Sequence, residues 1–125
     1  MRKGTTGLAL LIMTGCLLLA TSGAVDITGT WKGTTEVPDA IDPDELTLVV
    51  EKKEGVYHGV INDSFGYCQD AECSDLELAG DQLTFNFLTV DGNTIYITLT
   101  VKGDSMAGHW EDEDGSGAEI TMTKK

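Results

Sequence analysis

The sequence predicts an all-β protein, a single antiparallel meander of about eight strands closed into a small barrel. Two observations carry this prediction. Between residues 46 and 123, apolar side chains alternate with polar ones at the two-residue period of a strand that buries one face. Turn signals, in which glycine stands next to an acidic residue, recur at nearly even intervals. They are Glu54-Gly55, Gly80-Asp81, Asp91-Gly92-Asn93, Gly103-Asp104 and Asp114-Gly115.

The predicted strands follow one another through short connections. Alternation is clearest over residues 94–101, where Ile95, Ile97 and Leu99 alternate with tyrosine and threonine. The eight predicted strands cover residues 27–37, 46–53, 56–63, 75–79, 82–90, 94–102, 105–112 and 118–123. Short connections predict antiparallel neighbours, and an open sheet of this size would leave exposed edges. Because the chain shows no long return connection, closure into a barrel is favoured over a Greek-key sandwich.

The first 24 residues predict an export signal. Arg2 and Lys3 precede an apolar run over residues 8–20, which is too short to span a bilayer core of about 30 Å. Ser22-Gly23-Ala24 offers small residues for cleavage, so we expect one domain, residues 25–125, in the periplasm or secreted. The alternative is Met13-Thr14-Gly15-Cys16, which resembles a bacterial lipobox and would make the protein a lipoprotein anchored through Cys16.

The predicted domain is strongly acidic. The whole chain has 21 acidic and 8 basic residues. Loss of Arg2 and Lys3 with the signal leaves 6 basic residues against 21 acidic ones, and therefore a net charge of −15. Nucleic acids and anionic lipids both require cationic partners, so neither is expected to bind. A basic protein partner fits this charge, as does a cation.

Two of the three cysteines belong to the predicted domain. Cys68 and Cys73 form an even pair in a compartment expected to be oxidising, which predicts a disulfide. Such a bond would hold the loop of residues 63–74 and contribute about 2 kcal/mol in the chain-entropy model. A redox pair or a metal site is the alternative, although the spacing does not match Cys-x-x-Cys and no histidine is near in sequence.

The first strand carries a family resemblance. Gly29-Thr30-Trp31 resembles the Gly-x-Trp motif that opens lipocalin-type and avidin-type barrels, and Gly108-His109-Trp110 is a fainter copy in the seventh predicted strand. The whole pattern looks most similar to short bacterial lipocalin-like domains of the calycin type. In such barrels the glycine permits a sharp bend or a close strand crossing, and the indole closes one end of the core.

A barrel of this size is either filled by side chains or holds one small ligand. The residues expected to line an interior ligand site are Trp31, Phe85, Phe87 and Trp110. For each of them a packed core is the alternative interpretation. If a pocket exists, Tyr57, Tyr96 or Asn86 would supply its polar groups, and a small lipophilic or aromatic molecule would fit.

The sequence therefore predicts an exported lipocalin-like binding module that holds a small apolar ligand in or at the mouth of the barrel. The alternative is a protein-interaction or inhibitor module that uses the disulfide loop and the acidic surface. His58 and His109 form no metal or catalytic pattern, and neither a nucleophile motif nor a cofactor motif is present, so we expect no enzymatic activity. The carboxylates between Asp112 and Glu119 could contact Ca²⁺, but their spacing favours a plain solvated hairpin.

Overall fold

The computed structural model describes residues 25–125, so the predicted export signal and Cys16 lie outside the described residues. This part of the chain forms nine strands and has no helix that is long and apolar enough to cross a membrane. The strands are β1 (Gly29–Thr35), β2 (Asp44–Lys53), β3 (Val56–Asp63), β4 (Ala71–Glu72), β5 (Ser74–Ala79), β6 (Gln82–Leu88), β7 (Thr94–Lys102), β8 (Ser105–Glu111) and β9 (Gly117–Lys124).

All nine strands belong to one antiparallel sheet. Its order is β4-β3-β2-β1-β9-β8-β7-β6-β5, so almost every strand pairs with its neighbour in sequence. The consecutive strands that do not pair are β4 and β5, and β1 pairs with β9 as well as with β2, with Thr35 opposite Ile120 and Trp31 opposite Lys124. This pairing of the first and last strands curves the sheet into a nearly closed barrel. The predicted fold class, an all-β antiparallel meander forming a barrel, is confirmed.

The barrel closes where β4 and β5, the two outer strands of the sheet, follow each other in sequence with only Cys73 between them. The backbone N–H of Cys73 donates a 2.9 Å hydrogen bond to the carbonyl of Gly59 in β3. A Cβ atom at Gly59 would lie 3.1 Å from both Cys73 Sγ and Leu76 Cδ1, so glycine allows the chain to pass this close. The prediction of eight strands missed β4, which has only two residues.

The two ends of the barrel are built differently. At the closed end, three hairpins turn through the two-residue connections 54–55, 80–81 and 103–104, as the turn signals predicted. The indole of Trp31 is fully buried in this half, and its Nε1 donates a 2.9 Å hydrogen bond to the carbonyl of Ile27. The ammonium of Lys124 lies 5.4 Å from the centre of the Trp31 rings. Trp31 thereby closes this end of the core.

At the open end the connections are longer, covering residues 36–43, 64–70, 89–93 and 112–116. Between the two ends, the inward side chains at alternate strand positions form one apolar core. Leu83, Phe85 and Phe87 of β6 face this core, as do Ile97 and Leu99 of β7, while the residues between them are more exposed. The alternation that predicted these strands therefore also identified their buried faces.

Candidate ligand cavity at the open end of the barrel

A cavity of about 190 Å³ lies at the open end of the barrel. Its lining residues come from the C-terminal ends of β1, β3, β6 and β8 and from the N-terminal ends of β2, β7 and β9. Aliphatic and aromatic side chains from six of these strands form its apolar walls: Leu46, Ile61, Phe87, Ile95, Trp110 and Ile120. The 64–70 and 89–93 connections add Tyr67, Cys68 and Asp91 at its mouth. Such a cavity, apolar with a few polar groups, is typical of small-molecule sites.

The indole of Trp110 is held in place across three strands. Its Nε1 donates a 2.8 Å hydrogen bond to the hydroxyl of Thr35, and this hydroxyl donates a 2.7 Å hydrogen bond to the carbonyl of Glu119. Thr35 is buried, and Trp110 is half-buried. Because both polar groups have partners within the protein, the Trp110 side chain presents an apolar surface of fixed orientation to the cavity.

Two aspartates lie on one wall of the cavity. Asp44 begins β2 and is only 3 % exposed, and Asp63 ends β3. Asp63 stands opposite Leu46 in the strand register, which places it diagonally across from Asp44. Oδ1 of Asp44 accepts hydrogen bonds from Ser64 Oγ at 3.0 Å and from the N–H of Phe65 at 3.1 Å. The connection after β3 therefore folds back onto the carboxyl group that begins β2.

Among the described residues, the carboxyl group of Asp63 accepts a hydrogen bond at one of its two oxygens only. Its Oδ1 accepts a 2.8 Å hydrogen bond from the N–H of Cys68. Its Oδ2 is buried and has no hydrogen-bond partner among the described residues. A buried carboxylate oxygen without a partner loses its hydration without compensation, so this atom favours a hydrogen-bond donor nearby.

The pKa of Asp44 is raised from 3.8 to about 6, mainly by burial and also by the neighbouring carboxyl of Asp63, to which a protonated Asp44 can donate and whose negative charge opposes ionisation. The hydrogen bonds from Phe65 and Ser64 oppose this change because they favour the charged form. At mildly acidic pH the Asp44 carboxyl group is therefore partly protonated.

The predicted disulfide between Cys68 and Cys73 is wrong for this structure, in which both residues are free thiols. Cys68 is buried at the cavity beside Asp63, whereas Cys73 lies at the closure of the barrel beside Gly59 and Leu76. Short spacing in sequence does not ensure that two side chains point toward each other, which a disulfide requires. Burial raises the pKa of both thiols to about 12, so they are protonated at neutral pH.

Of the four residues expected to line a ligand site, Phe87 and Trp110 line this cavity. Trp31 fills the closed half of the core instead, and Phe85 is buried without lining the cavity. Tyr57, Tyr96 and Asn86, which were expected to supply polar groups, do not line the cavity either.

These three polar side chains lie away from the cavity. The hydroxyl of Tyr57 donates a 3.4 Å hydrogen bond to the carbonyl of Val25. The amide of Asn86 donates to Asp75 Oδ2 at 3.2 Å on the outer surface, and Tyr96 is half exposed. The polar lining of the cavity includes instead the carboxyls of Asp44 and Asp63, which the sequence pattern does not single out.

The final hairpin uses its carboxylate to shape the turn. Oδ1 of Asp112 accepts hydrogen bonds from the N–H groups of Asp114 and Ser116, each 2.9 Å long. This arrangement is the ordinary way in which aspartate stabilises a turn. Within residues 25–125, no three His, Cys, Asp or Glu side chains lie close enough together to hold a metal ion.

Comparison with known proteins adds no relative from which a function could be transferred. No family model, no curated protein and no solved structure matches this chain. The cavity and the residues that line it are therefore the basis on which a function is proposed.

Proposed function

We propose that the protein is an exported, lipocalin-like binding module that holds a small, largely apolar ligand in the open-end cavity. The observation that carries this proposal is the asymmetry of the barrel. Trp31 fills the core at one end, while an apolar cavity of about 190 Å³ lies at the other. The Gly29-Thr30-Trp31 motif supports the lipocalin-like assignment, and the N-terminal residues support export to the periplasm or beyond.

The size of the cavity limits the ligand. Apolar cavities of about 150 Å³ bind a molecule as small as benzene. A volume of about 190 Å³ therefore fits a single aromatic ring with a short side chain, or an alkyl chain of similar bulk. A ligand that packs against the fixed Trp110 indole pays little for ordering the protein, since the side chain is already held by Thr35.

Thermal denaturation of the protein, expressed from its full sequence, with a panel of one-ring aromatic and short alkyl compounds tests the proposal. A ligand that binds only the folded state stabilises it, by about 2.7 kcal/mol at a concentration 100 times its Kd. Ile95→Trp, which adds bulk to the cavity wall, should abolish this stabilisation. Ile41→Trp is the matched control because Ile41 is exposed and does not line the cavity. Equal ligand responses in both variants would contradict binding in the cavity.

The distribution of charge supports a second candidate function, docking of a basic protein. The four connections of the open end contain no Lys, Arg or His, while five of the six lysines of residues 25–125 lie at or next to the closed end. These five are Lys52, Lys53, Lys102, Lys124 and Lys125. A surface of one charge steers oppositely charged partners to it.

An oligolysine peptide of defined length tests this second candidate. Its affinity should fall with increasing salt, and the double variant Asp39→Asn/Asp42→Asn at the open end should weaken it further. The closed-end double variant Asp81→Asn/Asp104→Asn makes the same change in net charge. If both double variants weaken binding equally, the peptide responds to net charge alone and the open end is not a docking surface.

A further inference from the structure

We propose that the open-end cavity selects a cationic ligand, a primary amine on a one-ring or short alkyl body, with its ammonium group at Asp44 and Asp63 and its body against the apolar walls. This inference rests on the proposed function and specifies the chemical class of the ligand.

The first observation is the unneutralised pair of carboxyl groups. Both hydrogen bonds that the described residues make to the Asp44 side chain go to Oδ1, and the buried Oδ2 of Asp63 has no partner among them. Within residues 25–125 there is one ion pair, between Lys53 and Glu51 at the closed end. The described part of the chain thus places two carboxyl groups on the wall of an apolar cavity and provides no cation for them. An ammonium group supplies three N–H donors and a positive charge in a volume close to that of a methyl group.

The second observation is that the other deep polar group of the cavity is already satisfied. The Thr35 hydroxyl accepts from Trp110 and donates to the carbonyl of Glu119. A ligand head group that enters this part of the cavity therefore meets carboxylate acceptors and receives no hydrogen bond from Thr35. This chemistry favours donors and cations and disfavours anions.

The third observation is the charge of the surrounding loops. Asp91 and Asp112 also line the cavity, and no basic residue lies in the four connections that surround it. The field at the mouth is negative on all sides, so it raises the local concentration of small cations. These connections therefore supply no lysine that could pair with Asp44 and Asp63 and compete with a ligand.

The geometry favours an organic cation over a metal ion. Hard cations such as Ca²⁺ take six to eight oxygen ligands, and in the described part of the chain no group of three metal-ligating side chains forms. An ammonium group needs only a few acceptors. The apolar walls formed by Phe87, Trp110 and Ile95 can pack against the hydrocarbon part of an organic cation. A bare metal ion would gain nothing from these walls.

Three probes with the same ring and nearly the same length test the charge preference. These are 2-phenylethylamine, 2-phenylethanol and phenylacetate, measured by calorimetry at pH 7.5 with the protein expressed from its full sequence. We expect the amine to bind at least about tenfold more tightly than the alcohol, and the carboxylate to bind more weakly than either.

Substitutions at the carboxyl pair locate the effect. Asp63→Asn and Asp44→Asn keep the side-chain shape, and each should weaken amine binding about tenfold while alcohol binding changes less than about twofold. The matched control is Asp104→Asn, an exposed residue at the closed end with the same change in charge, which should leave both affinities unaltered. Retained binding of the alcohol shows that a variant is still folded.

The possible failures are distinct. Equal binding of amine and alcohol, or equal weakening of amine binding by Asp104→Asn and Asp63→Asn, overturns the inference and leaves the proposed function standing. The proposed function itself is overturned by a different result. In that case none of the three probes binds, and every compound of the panel stabilises the original protein and Ile95→Trp equally. Amine binding that persists in Ile95→Trp places the amine outside the cavity and also overturns the inference.

Discussion

The hydroxyl of Thr35 joins Trp110 of β8 to the backbone of β9, since it accepts from the indole at 2.8 Å and donates to the carbonyl of Glu119 at 2.7 Å. Replacement of Thr35 by valine keeps the shape but leaves the part-buried indole N–H of Trp110 and carbonyl of Glu119 without this partner. We expect Thr35→Val to lower the free energy of unfolding by about 1–3 kcal/mol, measured by urea denaturation.

Thr34→Val is the control for this prediction, because Thr34 is the adjacent residue of β1 and is exposed. Its effect should stay within about 0.5 kcal/mol. If the hydrogen bonds also fix the indole, Thr35→Val should weaken binding of aromatic ligands in the cavity. Equal stability of the two variants would show that this pair of hydrogen bonds contributes little.

The pKa of Asp44, raised to about 6, predicts how stability depends on pH. Between about pH 4 and 6 the folded state binds more protons than the unfolded state, so this group makes stability fall as the pH rises through that range and changes it little above. The groups that face it are Asp63 and the neutral thiol of Cys68. Because the protein has many other carboxyl groups, a variant is needed to isolate the effect of Asp44.

Asp44→Asn removes the titration and keeps an oxygen for the hydrogen bonds from Ser64 and Phe65. Relative to this variant, the original protein should lose about 1–2 kcal/mol of unfolding free energy between pH 4 and pH 7, a value reduced from the full shift for solvent screening. Urea denaturation of both proteins across this range measures the difference. Parallel pH curves for the two proteins would show that the Asp44 pKa is unchanged by folding.

The sequence was sufficient to predict the strands and turns, because hairpins are specified by local signals such as Glu54-Gly55 and Gly103-Asp104 and by alternation on one face. It was insufficient for β4, since a pair of residues carries no periodicity. The disulfide prediction failed for a related reason: spacing along the chain does not give the direction of two side chains.

The cavity could be predicted only in part. Phe87 and Trp110 were selected for their size, which does not distinguish the open half from the closed half, where Trp31 lies. Asp44 and Asp63 were missed because acidic residues near loops are normally solvated. A signal was nevertheless present: the inward alternation of Leu46 and Leu48 continues back to Asp44, and that of Gly59 and Ile61 continues to Asp63.

The free thiols give a further prediction. Because burial raises the pKa of Cys68 and Cys73 to about 12, alkylation by iodoacetamide at pH 8 should be far slower in the folded protein than in urea. Mass spectrometry of the protein treated in urea without reductant should show both thiols modified. A protein that takes up no label under those conditions until it is reduced would contain the disulfide after all.

The last prediction concerns the close packing of β7 and β8 at Gly108. A Cβ atom there would lie 1.9 Å from the carbonyl oxygen of Thr98 and 2.8 Å from Leu99 Cα, both of which are backbone atoms. Gly108→Ala therefore requires the two strands to separate, and we expect it to cost about 3 kcal/mol or more of unfolding free energy. At Gly59 the corresponding contacts, at 3.1 Å, are with side-chain atoms that can shift.

Gly59→Ala should accordingly cost less, about 1 kcal/mol, in the same urea denaturation experiment. Both substitutions replace glycine by alanine in a strand, so the change in the unfolded chain is nearly the same and cancels in the comparison. A larger loss at Gly59 than at Gly108 would mean that the closure between β3 and Cys73 is less able to adjust than the paired strands β7 and β8. Stability would then depend most on the closure of the barrel, and the close approach of β7 and β8 at Gly108 would be the more tolerant feature.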